Sequence, residues 1–212
     1  MMTETKKDQI ALGLIISSYL FGFCCIQLGL WSDLVHFTWF QILLCVLLIF
    51  WRHYPNESEF KNLLVFFGFA WTIGYFIEVL GVNTGVIFGN YQYGNDLGFK
   101  ILGTPPMIGF NWFLLTYCVN DQVKRWQLPF IWHVLLAALL VVAIDIIIEP
   151  NAIKLGMWIW ENNQVPLQNY VAWFAVSLLI SAIYHRQIAF LNPYTKTILW
   201  CMILFFGLGL WV

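Results

Sequence analysis

The sequence predicts an all-α integral membrane protein with about seven transmembrane helices. Only 10% of its 212 residues are charged and 61% are hydrophobic, whereas soluble domains carry about a quarter charged residues. The mean hydropathy is +0.76. A helix needs roughly 20 apolar residues to cross a bilayer. Seven apolar runs approach that length, at residues 10–31, 34–51, 62–81, 105–120, 129–148, 166–184 and 196–212.

The residues at the ends of these segments support their assignment as transmembrane helices. The first follows Lys6 and Lys7 but is too long for a secretory signal and lacks a small-x-small cleavage site, so we expect a retained anchor. The second and third are uninterrupted. The fourth opens with Pro105 and Pro106, which suit the first turn of a helix. The fifth and the sixth each begin at a proline, Pro129 and Pro166, and the seventh runs to the last residue.

The positions of the basic residues predict the orientation in the cytoplasmic membrane. With seven spans, eight of the ten Lys and Arg residues fall on one side, and only Lys100 and Lys154 fall on the other. This positive-inside bias places the N-terminus in the cytoplasm and the C-terminus outside. The eight are Lys6, Lys7, Arg52, Lys61, Lys124, Arg125, Arg186 and Lys196.

Two stretches carry the same pattern, and each begins with an acid inside an apolar run. Glu78 precedes Gly89 by eleven positions, and Asp145 precedes Gly156 by eleven positions. A carboxylate in a membrane helix costs about 2.5–3.5 kcal/mol on insertion scales, so a functional role is expected. Together the stretches predict one duplicated site. Aromatic residues follow each glycine at two and four positions on: Tyr91, Tyr93, Trp158 and Trp160.

The chain is expected to form a single transmembrane domain, residues 1–212, with an internal repeat. Helices 3–4 and 5–6, about residues 62–120 and 129–184, would form two parallel hairpins related by an axis along the membrane normal. Both acids would lie about 24–26 Å across a core of about 30 Å, near the outer interface. We expect the glycine-containing loops 82–104 and 149–165 to fold back over them as a lid.

The carboxyl groups suggest protonation chemistry. Asp145 and Glu149 are four residues apart and share one helix face. Two ionised carboxylates at that spacing repel each other, and a proton held by one of them relieves the repulsion. A protonated carboxylic acid is what protonation of a substrate requires. Alternatively, Glu149 beside Pro150 merely ends a helix in the headgroup region.

Polar and aromatic residues around the acids are further candidates. Amide and hydroxyl groups would bind the acids or a water molecule, although asparagine also joins helices to one another. The four loop aromatics would present π faces to a cation, or form an interfacial belt. The polar candidates are Asn83, Thr84, Asn111 and Asn169.

Several other functions are not predicted. No basic cluster exists, so nucleic acid is not an expected partner. The five cysteines lie in apolar segments without CxxC spacing, and no two histidines have metal-ligand spacing, so we expect no disulfide framework and no metal site. Neither a nucleophile elbow nor a phosphate-binding glycine loop is present.

Two multi-residue motifs lie in order along residues 70–175. They are Glu78-x-x-Gly81-x-x-Thr84-Gly85-x-x-Phe88-Gly89-x-Tyr91-x-Tyr93 with Gly103-Thr104-Pro105, and Asp145-x-x-x-Glu149-Pro150 with Gly156-x-Trp158-x-Trp160, Val165-Pro166-Leu167-x-Asn169 and Trp173. In these motifs the chain resembles the carotenoid biosynthesis protein family of integral-membrane carotenoid hydratases. Where we expect the family to have Asp before the second-motif proline, this chain has Glu149. The remaining segments are similar only as apolar spans.

The resemblance implies addition of water to the terminal 1,2 double bond of an acyclic carotenoid, a hydro-lyase reaction without a cofactor. Asp145 or Glu78 would protonate the end group to a tertiary cation. The other acid, with Glu149, would stabilise the cation and take a proton from the attacking water. The expected partners are therefore the carotenoid, water and membrane lipid.

Three alternatives share part of this pattern. A carotenoid cyclase uses the same protonation, but an internal double bond captures the cation. A proton-coupled transporter also uses membrane-embedded acids and parallel repeats. A structural membrane subunit would leave the doubled motif unexplained.

Overall fold

The computed structural model describes residues 4–30 and 37–208. The last residue of the first predicted segment, the first three of the second and the last four of the seventh lie outside these ranges. Within the described ranges the fold is a bundle of seven α-helices, which confirms the predicted all-α class. They are α1 (Glu4–Gln27), α2 (Phe37–His53), α3 (Glu57–Thr84), α4 (Met107–Lys124), α5 (Phe130–Lys154), α6 (Leu167–Gln187) and α7 (Thr195–Leu208).

Helices α1, α3, α5 and α6 are long and apolar enough to cross a membrane, and α2 and α7 are shorter apolar helices. Helix α4 has 18 residues but is not among the helices apolar enough to count as a candidate span. It is the central helix and packs against α2, α3, α5, α6 and α7. Because neighbouring helices surround it, α4 tolerates polar residues that a lipid-facing helix would exclude. The count of seven spans and the internal repeat stay predictions.

Local sequence signals set the ends of the site-bearing helices. The Asn56 side chain accepts a hydrogen bond from the backbone N–H of Glu59 at the start of α3. Helix α3 ends at Gly85, whose φ of 65° lies in the left-handed region that favours glycine. Helix α5 continues past Pro150 to Lys154. The predicted loop 149–165 therefore begins six residues late, because one missing N–H in the last turns does not stop the helix.

Close packing joins α3 to α4 on the side that faces the acids. A Cβ atom built at Gly74 would lie 2.4 Å from Cβ and Cγ of Trp112, and one at Gly109 would lie 2.8 Å from the ring of Trp71. Each glycine thus admits an indole from the other helix. This contact sets the position of Trp112 relative to α3.

The two motif loops pair with each other as a short antiparallel ribbon. Strand β1 (Tyr91–Tyr93) pairs with β2 (Trp158–Trp160), with Tyr91 opposite Trp160 and Tyr93 opposite Trp158. The pairing extends through the bond from the Gly94 N–H to the Met157 oxygen at 2.8 Å. Alternate residues of a strand face the same side. The four aromatics therefore face the bundle, while the intervening residues are exposed.

A buried polar cluster holds the opposite end of the bundle together. Asp121 of α4 is fully buried and accepts hydrogen bonds from the Asn192 N–H at 2.8 Å and the Thr195 hydroxyl at 2.7 Å. The Arg125 guanidinium donates a third hydrogen bond to the Asp121 carboxylate, at 3.0 Å. These bonds fix α7 against the central helix.

We expect Gly74→Ala to destabilise the protein, because the added methyl group meets Trp112. Overpacking of this kind costs about 1–3 kcal/mol, which offsets or exceeds the gain of about 1 kcal/mol from replacing helical glycine by alanine. Gly68→Ala in the same helix is the matched control, since a Cβ atom there meets nothing within 4 Å. The midpoint of thermal unfolding in detergent, followed by tryptophan fluorescence, measures both. A Gly74→Ala protein as stable as Gly68→Ala would contradict this packing.

Candidate active site

The three predicted acids line one buried cavity under the ribbon, here called the acid cavity. Glu78 is 3% exposed, Asp145 3% and Glu149 4%. The volume open to the centre of a water molecule is about 30 Å³, which is enough for one or two waters. The other lining residues are Tyr91, Tyr93, Ile108, Asn111, Leu115, Ile148, Trp158, Trp160, Asn169 and Trp173.

Glu78 is held by three neutral donors. The Tyr91 hydroxyl and the Tyr93 hydroxyl, the latter at 2.7 Å, donate to its Oε2. The Trp112 indole N–H donates to its Oε1 at 2.9 Å. Both carboxylate oxygens are therefore acceptors. Burial, with the nearby charge of Glu78, raises the pKa of both tyrosines well above the usual value, so that they stay protonated and remain donors.

Glu149 is held by the other strand of the ribbon. The indole N–H groups of Trp158 and Trp160 both donate to its Oε2, at 2.9 and 3.2 Å. The spacing of the two motifs aligns Glu78 with Asp145, but the strand contacts make Glu149 the counterpart of Glu78. Glu149 lies five residues before the end of α5, and Glu78 lies six residues before the end of α3. That position puts each carboxyl group under its strand of the ribbon.

Asp145 lies one turn deeper on α5 and has fewer partners than the other two acids. Within the described residues its one hydrogen bond comes from the Asn169 amide, which donates to Oδ2 at 3.3 Å. Its Oδ1 accepts no hydrogen bond from the described residues. Asp145 and Glu149 face the same cavity with Ile148 between them, as their spacing on one helix face predicts.

Two stacked indoles from α4 and α6 lie beside the acids. The rings of Trp112 and Trp173 are parallel within 19°, with centroids 3.9 Å apart. Sequence reasoning assigned no role to Trp112. The sequence did contain an indication of its role, because Trp112 follows Pro106 at nearly the same spacing as Trp173 follows Pro166 in the second hairpin.

Most of the predicted site residues line the acid cavity, but Asn83 and Thr84 do not. The Asn83 amide donates to the backbone oxygens of Val79 and Leu102, at 2.7 and 2.9 Å. The Thr84 hydroxyl donates to the Leu80 oxygen at 2.6 Å. Both side chains thus stabilise the exposed end of α3 and the loop that follows it.

A second cavity adjoins the first and is here called the apolar cavity. It lies among α1, α2, α4, α5 and α7, and by the same measure its volume is about 70 Å³. No charged side chain is among the described residues that line it. The two cavities share Ile108, Asn111, Ile148 and Trp158. The two cavities therefore adjoin along these four residues.

The chain is similar to proteins of carotenoid metabolism. The bisanhydrobacterioruberin hydratase of Haloarcula japonica is 33% identical to it over 108 residues, which cover 47% of this chain. The match spans 36% of that relative's own length. No solved structure is significantly similar.

A family model described as carotenoid biosynthesis protein matches residues 37–210. The match covers both motifs and six of the seven helices of the described structure. Four of these seven helices have the length and apolarity of membrane spans. The chain belongs to the carotenoid biosynthesis protein family.

Proposed function

We propose that this protein is a carotenoid 1,2-hydratase, a hydro-lyase that adds water to the terminal double bond of an acyclic end group. The observation that carries the proposal is three carboxyl groups in one buried cavity, lined by aromatic rings and joined to an apolar cavity. The hydratase name of the Haloarcula relative agrees with this chemistry. The reaction involves no net change of redox state and therefore calls for no redox cofactor.

The hydrogen bonds favour Asp145 as the proton donor. Glu78 accepts from three neutral donors, so its two oxygens act as an anionic acceptor. Asp145 has a single long hydrogen bond, and its Oδ1 is left to carry and deliver a proton. Transfer of that proton to C2 of the end group forms a C–H bond and leaves a tertiary cation at C1.

The cavity supplies negative charge and π faces to this cation. Glu78 is the fixed anion, and its donors hold it in place without neutralising it. The stacked Trp112 and Trp173, and the Tyr91 and Trp160 rings with centroids 4.7 Å apart, present aromatic faces. An apolar, water-poor cavity strengthens both interactions.

Water capture completes the reaction. A water held by Asn111 and Asn169 forms the C–O bond at C1, and its proton passes to Glu149. Glu149 returns a proton to Asp145, four residues away on the same helix face, so protons balance over the cycle. The carotenoid chain would extend from the apolar cavity into the lipid.

The placement in the membrane is part of the proposal. We infer an integral protein of the cytoplasmic membrane that forms one domain, with its N-terminus in the cytoplasm and the ribbon on the outer side. The polyene, water and lipid are then its partners, and the ribbon shields the cation from bulk water.

We expect expression in a host that accumulates an acyclic carotene to yield pigments heavier by one or two waters. Mass spectrometry of the extracted pigments measures this, with an empty-vector strain as control. Unchanged mass with a shifted absorption spectrum would indicate a cyclase instead. Unchanged pigment with the protein present in the membrane would contradict the enzyme and favour a transporter.

Asp145→Asn and Glu78→Gln should each lower kcat by at least about 100-fold, the usual scale for loss of a general acid or a stabilising charge. Glu57→Gln is the matched control, because Glu57 is exposed at the far end of α3 from Glu78. Turnover in purified, folded variants measures the effect. Near-normal turnover in either amide variant would remove that residue from the mechanism.

Tyr93→Phe should lower kcat by about 10- to 100-fold, because a hydrogen bond to a charged group is worth about 1.5–3 kcal/mol. Its ring still fills the same space. Gln92→Ala, on the exposed face of the same strand, should leave turnover unchanged. Equal effects of the two changes would mean that the ribbon acts only as a cover.

A further inference from the structure

The chain makes a two-residue turn shortly before α4, and this turn breaks a local rule of turn chemistry. Ile101 and Thr104 exchange two backbone hydrogen bonds, at 2.9 and 3.1 Å. The residues between them, Leu102 and Gly103, have φ values of 52° and 77°. A turn with positive φ at both central positions prefers Asn-Gly or Asp-Gly, because a bulky side chain is strained there. The backbone therefore does not explain the leucine.

Other left-handed positions of the described structure show what the backbone favours. Non-glycine residues with positive φ occur there also at Gln127, Asn162 and Asn163. All three carry amide side chains and are exposed. Leu102 differs from them, because it holds an apolar side chain in this conformation with 67% of its surface exposed. An exposed apolar group that is kept despite the strain indicates a partner outside the chain.

Two neighbours of Leu102 extend this apolar surface. Phe99 is 74% exposed and Ile101 is 50% exposed. Residues 99–104 are here called the apolar turn. The charge of Lys100 does not interrupt the surface, because its ammonium group donates to the backbone oxygen of Tyr93. The charged end of this side chain is thus directed toward the ribbon, as in a snorkelling lysine.

The apolar turn lies against the side of α3 and not beyond its end. The Tyr75 hydroxyl donates to the Ile101 oxygen at 3.2 Å. The Asn83 amide donates to the Leu102 oxygen at 2.9 Å. Tyr75 lies nine residues before the end of α3, which is about 13 Å along the helix axis. The turn is therefore held alongside the last turns of this helix.

The face of α3 beside the turn is apolar and exposed. Phe76 and Leu80 form a stripe next to the one that carries Tyr75, since residues four apart share a helix face. Both are exposed, and α3 is long and apolar enough to cross a membrane. Lipid is the partner that such a face meets. The apolar turn continues this surface.

The backbone of the turn also fits a lipid environment. Backbone groups that lie among acyl chains must be paired within the protein. The N–H and oxygen of Ile101, the N–H and oxygen of Thr104, and the oxygen of Leu102 are all paired in this way. Resting on the membrane placement proposed above, we propose that the apolar turn is inserted among the acyl chains of the outer leaflet.

Insertion connects the lipid to the reaction site. Lys100 bonds the backbone oxygen of Tyr93, and the Tyr93 hydroxyl donates to Glu78. The turn is bonded to α3 as well, which carries Glu78 itself. The membrane thereby holds strand β1 at a fixed height over this acid.

The first test uses the unmodified full chain. The purified protein is placed in phosphatidylcholine liposomes in which part of the lipid carries a photoreactive diazirine on its acyl chain, and adducts are mapped by mass spectrometry. We expect adducts on the apolar turn at yields similar to those on Phe76 and Leu80. Ile159 is the matched control, since it is an exposed apolar residue on the outward face of the ribbon, and it should carry few adducts. Adducts on α3 with none on the turn would overturn the proposal.

Leu102→Asn tests the same insertion through stability. In a water-facing turn, asparagine relieves the strain and raises the midpoint of thermal unfolding, whereas among acyl chains its buried amide lowers that midpoint. We expect the midpoint in liposomes to fall by a few degrees. Gln127→Asn, at a left-handed position with φ of 51°, is the matched control and should not lower it. A Leu102→Asn midpoint at or above that of wild type would contradict insertion.

Neither measurement depends on turnover, so the two proposals fail separately. Hydration of a carotene without adducts on the turn rejects only the insertion. Adducts on the turn without any hydration support the insertion and reject the hydratase. A lack of adducts on Phe76 and Leu80 as well would reject the membrane placement on which the insertion rests.

Discussion

The fold depends on one constraint, which is that carboxyl groups placed in an apolar bundle must receive hydrogen bonds from within the protein. The three acids are at most 4% exposed, and an unpaired buried charge is very costly. The protein meets this need with a ribbon of two three-residue strands. Because alternate residues of a strand face the same side, the ribbon points four donors into the bundle. Two donors reach Glu78 and two reach Glu149.

The ribbon and the central helix act together on the same groups. Helix α4 brings Trp112 to the side of Glu78 away from the tyrosines, and the glycines at 74 and 109 let the helices approach closely enough. Trp173 from α6 then covers the face of Trp112. The position of Glu78 is consequently determined from three elements, α3, β1 and α4. Such redundancy holds an acceptor rigidly, as electrostatic stabilisation of a transient cation requires.

The unequal supply of donors separates the three acids chemically. A carboxylate surrounded by N–H and O–H groups is favoured as an anion, whereas one with a single long hydrogen bond is freer to carry a proton. Glu78 has three donors, Glu149 has two and Asp145 has one among the described residues. In the proposed reaction, this difference assigns the roles of proton donor, fixed anion and proton acceptor to three similar side chains.

Sequence by itself determined the helical class and most of the helix positions, and it named most of the residues that line the acid cavity, though not Trp112. Apolar runs, prolines and glycines act locally, and the spacing of Gly-x-aromatic-x-aromatic already requires both aromatics to face one side of a strand. Sequence reasoning also expected the two loops to cover the acids. It misplaced the end of α5, because it ended this segment with the apolar run at residue 148 and the helix continues to Lys154.

Tertiary structure alone decided which donor meets which acid. Trp112 reaches Glu78 across 34 residues of chain, and that contact depends on helix packing that no local pattern records. Motif spacing aligns Asp145 with Glu78, but the ribbon donates its hydrogen bonds to Glu149 instead. This follows from how far α5 extends before β2 begins. Asn83 and Thr84 are exposed, and their side chains donate hydrogen bonds to backbone oxygens in the last turns of α3. The apolar cavity, built from helices at both ends of the chain, exists only once α1, α2 and α7 pack beside the motif-bearing hairpins.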